Sequence, residues 1–112
     1  MGMELRVLGS SSSGNCYILD NGNEALIIEA GIRFIDVKKA LDFNIRKVVG
    51  CLITHQHNDH AKYAKAMVDC GFHVLALPEV IESKELKGSR VKAIKTGSGY
   101  LLGGFRVIPF PA

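Results

Sequence analysis

Cysteine is scarce in this chain. Only Cys16, Cys51 and Cys70 are present, well separated and without a Cys-x-x-Cys pair. This odd number argues against a disulfide framework and agrees with a reducing compartment. Because two of them fall in apolar segments and the third at the end of a predicted helix, we expect buried thiols that form no disulfide.

Long hydrophobic runs are also missing. The apolar runs extend over no more than about six residues, whereas a membrane-spanning helix needs about 18. The opening letters, MGMELR, lack the apolar stretch of a signal peptide. These absences predict a cytoplasmic protein without a membrane partner.

No charge of one sign dominates. The 14 basic and 11 acidic residues give a net charge of +3, which says little about partners. With 47% apolar and 22% charged residues, the composition is that of a globular protein. A length of 112 residues allows at most one domain, so we predict a single domain over residues 1–112.

Histidine occurs only four times, yet three copies stand within six positions. His55, His57 and His60 flank Asp59 directly after an apolar run, whereas His73 stands alone and is predicted to be structural. In an extended segment, His55, His57 and Asp59 share a side. Imidazole with carboxylate and no thiolate suits zinc in a hydrolytic site, with manganese or iron as alternatives. A merely polar loop is the competing interpretation, which this local excess of histidine disfavours.

The histidine-rich segment also resembles a known motif. Residues 54–60, T-H-Q-H-N-D-H, resemble the T-H-x-H-x-D-H metal motif of the metallo-β-lactamase-fold hydrolases. Residues 8–19 are similar to the start of small bacterial and phage members regarded as exonucleases or phosphodiesterases. Residues 25–31 resemble the family strand that usually ends in Asp-x-Gly, and residues 104–111 resemble the strand before the next metal-binding histidine. The resemblance spans nearly the whole chain.

The resemblance implies a fold, a metal site and a mechanism. The implied fold is α/β, α+β in some schemes, and forms the N-terminal half of an αββα sandwich. Two divalent ions are implied, with His55 and His57 on one and Asp59 and His60 on the other. A water or hydroxide held between them would be the nucleophile, and Asp59 would be the catalytic residue that orients it.

The chain also departs from the family pattern. Glu29 stands where aspartate is usual, and Tyr63 and Ala64 stand where a glycine often follows the motif. The family takes further metal ligands from later segments, whereas this sequence ends at Ala112. We therefore expect a truncated domain, completed by a missing C-terminal half or by a partner chain.

The serine-rich segment 10–15 has two interpretations. Successive amides and hydroxyls in a loop that contains glycine can bind phosphate, and Ser12 and Asn15 are then the candidate substrate contacts. A polar turn between two strands is the alternative. The segment is not a Walker loop, because no Gly-Lys-[Ser/Thr] follows it.

A basic stretch is the last candidate site. Such a run can follow a nucleic-acid backbone, but it is more often a solvated face, and no aromatic residues interleave here. Its members are Lys84, Lys87, Arg90, Lys92 and Lys95.

Together these features predict a metal-dependent hydrolase, specifically a phosphodiesterase or nuclease with nucleic acid as its partner. The alternatives are hydrolysis of a thioester, lactone or lactam, and a non-catalytic half-domain that lacks the downstream ligands. Local patterns predict strands at 3–8, 16–19, 25–28, 48–53, 73–77, 91–95 and 105–108, and helices at 34–43, 59–70 and 79–86.

Overall fold

A computed structural model describes residues 2–111, so Met1 and Ala112 of the predicted domain lie outside the described residues. Its centre is a six-stranded sheet in the order β1 to β6. The first three strands are antiparallel, and β3 to β6 run parallel. The strands are β1 Glu4–Ser11, β2 Gly14–Asp20, β3 Ala25–Ile28, β4 Val48–Ile53, β5 Val74–Ala76 and β6 Val91–Ala93. The predicted α/β class is confirmed.

The helices and a second, smaller sheet complete the fold. A two-stranded antiparallel sheet contains β7 Tyr100–Leu102 and β8 Phe105–Val107. The helices are α1 Phe34–Ala40, α2 Asn58–Ala61, α3 Ala64–Asp69 and α4 Pro78–Ser83, with a short 3-10 helix at Ile45–Lys47.

The inner strands β3 and β4 are buried on both faces of the sheet. On one face, Ile27 and Ile53 pack in a core that includes residues from the helices, such as Met67. On the other face, Leu52 belongs to a second core with Phe105 of β8. Alternate residues of β4 therefore enter different cores, as predicted for an apolar strand buried on both faces.

The predicted helix over residues 59–70 is wrong in one respect, because it is two short helices. The break falls at Tyr63, whose N–H donates to the carbonyl of Ala30 (2.9 Å) instead of continuing α2. A contact with a segment some thirty residues earlier thus overrides local helix propensity. Gly71, at φ +100°, follows the second helix as expected for a C-terminal cap.

Other expectations are confirmed with shifted boundaries. The Asn-Gly hairpin joins β2 to β3, and β1 extends three residues beyond its predicted end. Strand β7 was not predicted. All three cysteines are free thiols, with Cys16 and Cys51 fully buried. Within residues 2–111, no helix has both the length and the apolar character needed to cross a bilayer.

Candidate metal centre

The histidine-rich segment lies at the carboxyl end of β4, one of the two inner strands of the parallel part of the sheet. Residues 54–57 follow the strand without regular structure, and α2 begins at Asn58. His57 is extended at φ −67° and ψ 151°, and its carbonyl accepts the N–H groups of His60 and Ala61 (both 2.9 Å). The end of a buried strand and the start of a helix thus fix both ends of the motif.

Three side chains meet at this edge of the sheet. The ligand atoms of Glu29, His55 and His60 all lie within 4.8 Å of one another. Glu29 Oε2 is 3.3 Å from His60 Nδ1 and 3.8 Å from His55 Nδ1. Two imidazoles and one carboxylate in this arrangement are a donor set suited to a divalent metal.

Glu29 connects β3 to the metal motif. Its carboxylate accepts the backbone N–H of Thr54 (2.9 Å) and the Thr54 hydroxyl, and its side chain is only 6% exposed. Its backbone lies at φ +68°, a left-handed conformation rare for a residue with a side chain. A strained, buried carboxylate next to two imidazoles is typical of a functional site.

His60 carries the observation that best tests whether a metal fits. Its Nδ1 atom is buried, and the Glu29 Oε2 atom 3.3 Å away is not aligned for a hydrogen bond, so Nδ1 has no hydrogen-bond partner among the described residues. Leaving a buried polar atom unpaired costs roughly 1–3 kcal/mol. Because Glu29 Oε2 and the ring of His55 lie beside this nitrogen, a bound cation would satisfy it. The residues present therefore fit a divalent ion.

Asp59 is held beside this cluster by Asn15. The Asn15 amide nitrogen lies 3.1 Å from the Asp59 carbonyl and 3.3 Å from its carboxylate Oδ2, and 2.8 Å from the Ser11 carbonyl. The same Oδ2 is 3.5 Å from His60 Nε2. The predicted catalytic carboxylate is thus positioned by an amide from β2.

The two residues after Glu29 make backbone hydrogen bonds to the metal motif and to β2, respectively. The Ala30 N–H donates to the His60 carbonyl (2.6 Å), and the Gly31 N–H donates to the Asn15 carbonyl (2.9 Å). A Cβ at Gly31 would stand 1.9 Å from the Asp59 carbonyl oxygen. Only glycine permits this approach, which explains why the E-A-G segment faces the metal motif.

The structure brings some predicted site residues together and leaves others apart. His55 and His60 share the cluster, while His57 is exposed and, with Asp59, lies outside the set of three. The assignment of His55 with His57 and of Asp59 with His60 to two metals remains a prediction. From the sequence, Glu29 was noted only as a departure from the family pattern. Its place in the cluster could not be predicted, because it lies far from the histidines along the chain.

The two tentative substrate contacts differ in their surroundings. Ser12 lies in the exposed turn between β1 and β2. The strand residues on either side of this turn, Ser11 and Gly14, pair with each other in the sheet. Asn15 is 8% exposed, and its amide is used to hold Asp59. The turn predicted as one alternative is present, and contact of either residue with substrate stays a prediction.

Cysteine contributes no ready nucleophile or thiolate ligand here. Burial, reinforced by the charge of Glu29, raises the pKa of Cys16 to about 12. Burial likewise holds the pKa of Cys51 well above its ordinary value. Both thiols therefore stay protonated at neutral pH.

An apolar cavity of about 320 Å³ adjoins the cluster. Thr54 and His55 form one side of it, and Leu77, Ile94 and Phe110 form much of the rest. The Phe110 ring is 80% exposed. An apolar substrate group bound here would lie next to the metal ligand candidate His55.

The family model described as the metallo-beta-lactamase superfamily matches residues 10–69, more than half of the chain. The chain belongs to this superfamily, which includes metal-dependent hydrolases. Divalent-metal binding is therefore a property that the fold implies for the cluster at the end of β4.

Particular relatives share part of their length with this chain. Exodeoxyribonuclease YycJ of Bacillus anthracis is 35% identical over 65 residues, 55% of this chain and 25% of that protein. The metallo-beta-lactamase fold protein YhfI of Bacillus subtilis has a TM-score of 0.73 at 15% identity, over 96% of this chain and 52% of that one. For the metallo-beta-lactamase SMB-1 the values are 0.68 and 20%, over 91% and 48%. The chain thus spans a quarter of the curated relative and about half of these structures, which show the shared fold.

Proposed function

We propose that the protein is a metal-dependent phosphodiesterase acting on nucleic acid, that is, a nuclease. The observation that carries the metal chemistry is the Glu29, His55 and His60 cluster with its unpartnered His60 nitrogen. The choice of substrate is supported by the 35% identity to an exodeoxyribonuclease, which includes only a quarter of that relative.

In this proposal the histidines and Asp59 hold two divalent ions, with zinc as the first choice and manganese or iron as alternatives. When bound, divalent ions act as Lewis acids and make water acidic enough to attack at neutral pH. Asp59, fixed by the Asn15 amide, orients the attacking water. Glu29 positions the motif through Thr54 and keeps the imidazole of His60 next to a negative charge.

A second candidate function is hydrolysis of a thioester, lactone or lactam. The apolar cavity beside His55 favours it, because an acyl chain or ring would fill a space lined by Leu77, Ile94 and Phe110. The proposed nuclease would instead place the exposed Phe110 ring against a base, since aromatic rings stack on bases of any sequence. The same cavity therefore serves both candidates.

A third candidate is a half-domain without catalytic activity. Two protein donors for each ion leave zinc two short of its usual four, and the longer relatives have further segments. In this proposal, residues 1–112 hold a metal weakly until a C-terminal half or a partner chain completes the site.

Substrate panels separate these candidates. The intact protein, loaded with zinc or manganese, is assayed on labelled linear duplex and single-stranded DNA and RNA, beside thioesters, lactones and a lactam. The proposal predicts metal-dependent cleavage of nucleic acid that EDTA abolishes. Turnover of the acyl substrates alone would contradict it, and inactivity on every substrate together with weak metal binding would favour the half-domain.

A further inference from the structure

A second candidate site lies at the opposite ends of the parallel strands. A cavity of about 380 Å³ is lined by residues at or near the amino ends of three strands, namely Val49 of β4, His73 before β5, and Arg90 and Lys92 around the start of β6. Thr54, the first residue after β4, is five residues from Val49, or about 16 Å in an extended chain. This cavity is therefore separate from the metal centre.

The cavity carries charge of one sign. Arg90 and Lys92 are both exposed, and Lys92 pairs with Leu75, which lines the same cavity. Arg106 lines an adjoining cavity of about 270 Å³. Among the residues that the structure describes around these two spaces, none is acidic. The Glu24 carboxylate is not part of the lining. It lies at the turn between β7 and β8, where it accepts the Gly104 N–H (2.8 Å).

An aromatic ring stands between the two cavities. Tyr100 lines both of them, and Lys92 Nζ lies 5.4 Å from the centre of its ring. Its hydroxyl accepts the backbone N–H of Lys95 (3.0 Å), which fixes the ring in place. Strand β7, which begins at Tyr100, thus supplies the aromatic residue that the basic stretch lacks in sequence.

Another cavity of this protein is lined by charges of both signs and serves as a comparison. A space of about 220 Å³ beside α3 is lined by Lys65 and Lys87 together with Asp69 and Glu85. Its charges balance, so it offers no net attraction to a polyanion. The cavities around Tyr100 differ because three cations face them and no lining carboxylate offsets these charges.

We propose that Arg90, Lys92, Arg106 and Tyr100 form a second binding site for the phosphodiester backbone of single-stranded nucleic acid. The three cations contact phosphates, and the Tyr100 ring provides a stacking surface for a base. Such a site holds a strand without reading its sequence and loses affinity as salt rises. The inference rests on the proposed function for its choice of ligand, but binding here needs no metal.

The test is fluorescence anisotropy of a labelled oligothymidylate of about 20 nucleotides, longer than typical single-strand sites. EDTA is present throughout, so neither cleavage nor metal binding contributes. Arg90→Gln with Lys92→Gln removes two cations, and Lys39→Gln with Lys65→Gln is the charge-matched control on exposed helix positions. Circular dichroism confirms that each variant is folded.

We expect the Arg90 and Lys92 double variant to lower the slope of log affinity against log salt by about 1.4, from 0.7 per phosphate contact. Tyr100→Leu should weaken binding about fivefold or more, whereas Tyr100→Phe, which keeps the ring, should bind nearly as well as the parent. Equal losses in the double variant and its control would overturn the site. Polyglutamate that competes as well as the oligonucleotide would overturn the choice of ligand.

Metal-dependent catalysis and this binding site fail separately. If the nuclease assay is negative while oligonucleotide binding still depends on Arg90 and Lys92, the binding site stands without the proposed function. If cleavage occurs but binding in EDTA does not respond to these substitutions, the proposed function stands and the second site is wrong.

Discussion

At the carboxyl end of β4, Glu29 and Asn15 are each less than a tenth exposed and hydrogen-bond to the metal motif. At the amino ends of β4 to β6, Arg90 and Lys92 are exposed. The first region is held by contacts between residues far apart in sequence, whereas the second is a set of solvated cations beside one fixed ring. Substitutions at the carboxyl end should therefore change structure and chemistry together, and those at the amino end mainly charge.

The largest expected effect is on catalysis. Asp59→Ala in the intact protein should lower turnover by about 10²–10⁴-fold, because this carboxylate orients the attacking water in the proposed mechanism. Steady-state kinetics of nucleic-acid cleavage measures the loss. Asp69→Ala, at an exposed position of α3, makes the same charge change and should leave the rate near that of the parent. An undiminished rate in the Asp59 variant would contradict its role.

The next effect is on folding at the carboxyl end. Gly31→Ala should lower the free energy of unfolding by about 3 kcal/mol or more, because the new Cβ would stand 1.9 Å from the Asp59 carbonyl oxygen. Urea denaturation measures the change. At Gly99→Ala the Cβ meets no atom closer than 3.8 Å, so a change within about 0.5 kcal/mol is expected. Equal stabilities of the two variants would show that the close approach is not rigid.

The carboxylate of Glu29 should matter for metal affinity. Glutamine keeps one side-chain oxygen, so Glu29→Gln can no longer accept both the N–H and the hydroxyl of Thr54. Because these bonds position the metal motif, we expect metal affinity to fall about 10–100-fold. Competition with a chromophoric chelator measures the affinity. Glu82→Gln, an exposed charge-matched change on α4, should have no effect. A matching drop in that control would point to net charge instead of positioning.

Much of the metal centre at the carboxyl end of β4 could be predicted from sequence, because its histidines lie within one short segment. The apolar run 48–53 followed by three histidines located both the strand and the cluster. The involvement of Glu29 and Asn15 could not be predicted, since each reaches the motif across 25 residues or more. The helix break at Tyr63 depends likewise on a distant carbonyl, that of Ala30.

The amino-end site was predicted only in part. The basic stretch was visible in the sequence, but its aromatic partner comes from β7, a strand that local patterns did not indicate. Tyr100 reaches Lys92 only because the hairpin of β7 and β8 folds back over the sheet. Local periodicity carries no information about such contacts.

A smaller effect concerns a buried ion pair near the amino end of β4. A hydrogen bond from Lys47 (2.7 Å), and next the Gly22 N–H, hold the pKa of Asp20 below its usual value. A lowered folded-state pKa adds stability at neutral pH, and this contribution disappears as the pH falls below about 4 through the folded-state pKa.

Asp20→Asn should therefore flatten the loss of stability below about pH 4, because the variant has no proton to bind there. Urea unfolding at a series of pH values measures this dependence. Asp69→Asn, at an exposed position, is the matched control and should keep the acid sensitivity of the parent. If the free energy of unfolding depended on pH in the same way in the parent and the Asp20 variant, the Asp20–Lys47 pair would not contribute to acid sensitivity.

Metal binding to the cluster at the end of β4 tests the whole account most directly. Equilibrium dialysis against zinc and manganese, with elemental analysis of the protein, gives the bound metal for the parent, for His55→Ala with His60→Ala, and for His73→Ala. Metal bound by the parent and by the His73 variant, but lost from the double variant, is the predicted result. A parent that binds no divalent ion, or a double variant that binds as much as the parent, would contradict the assignment.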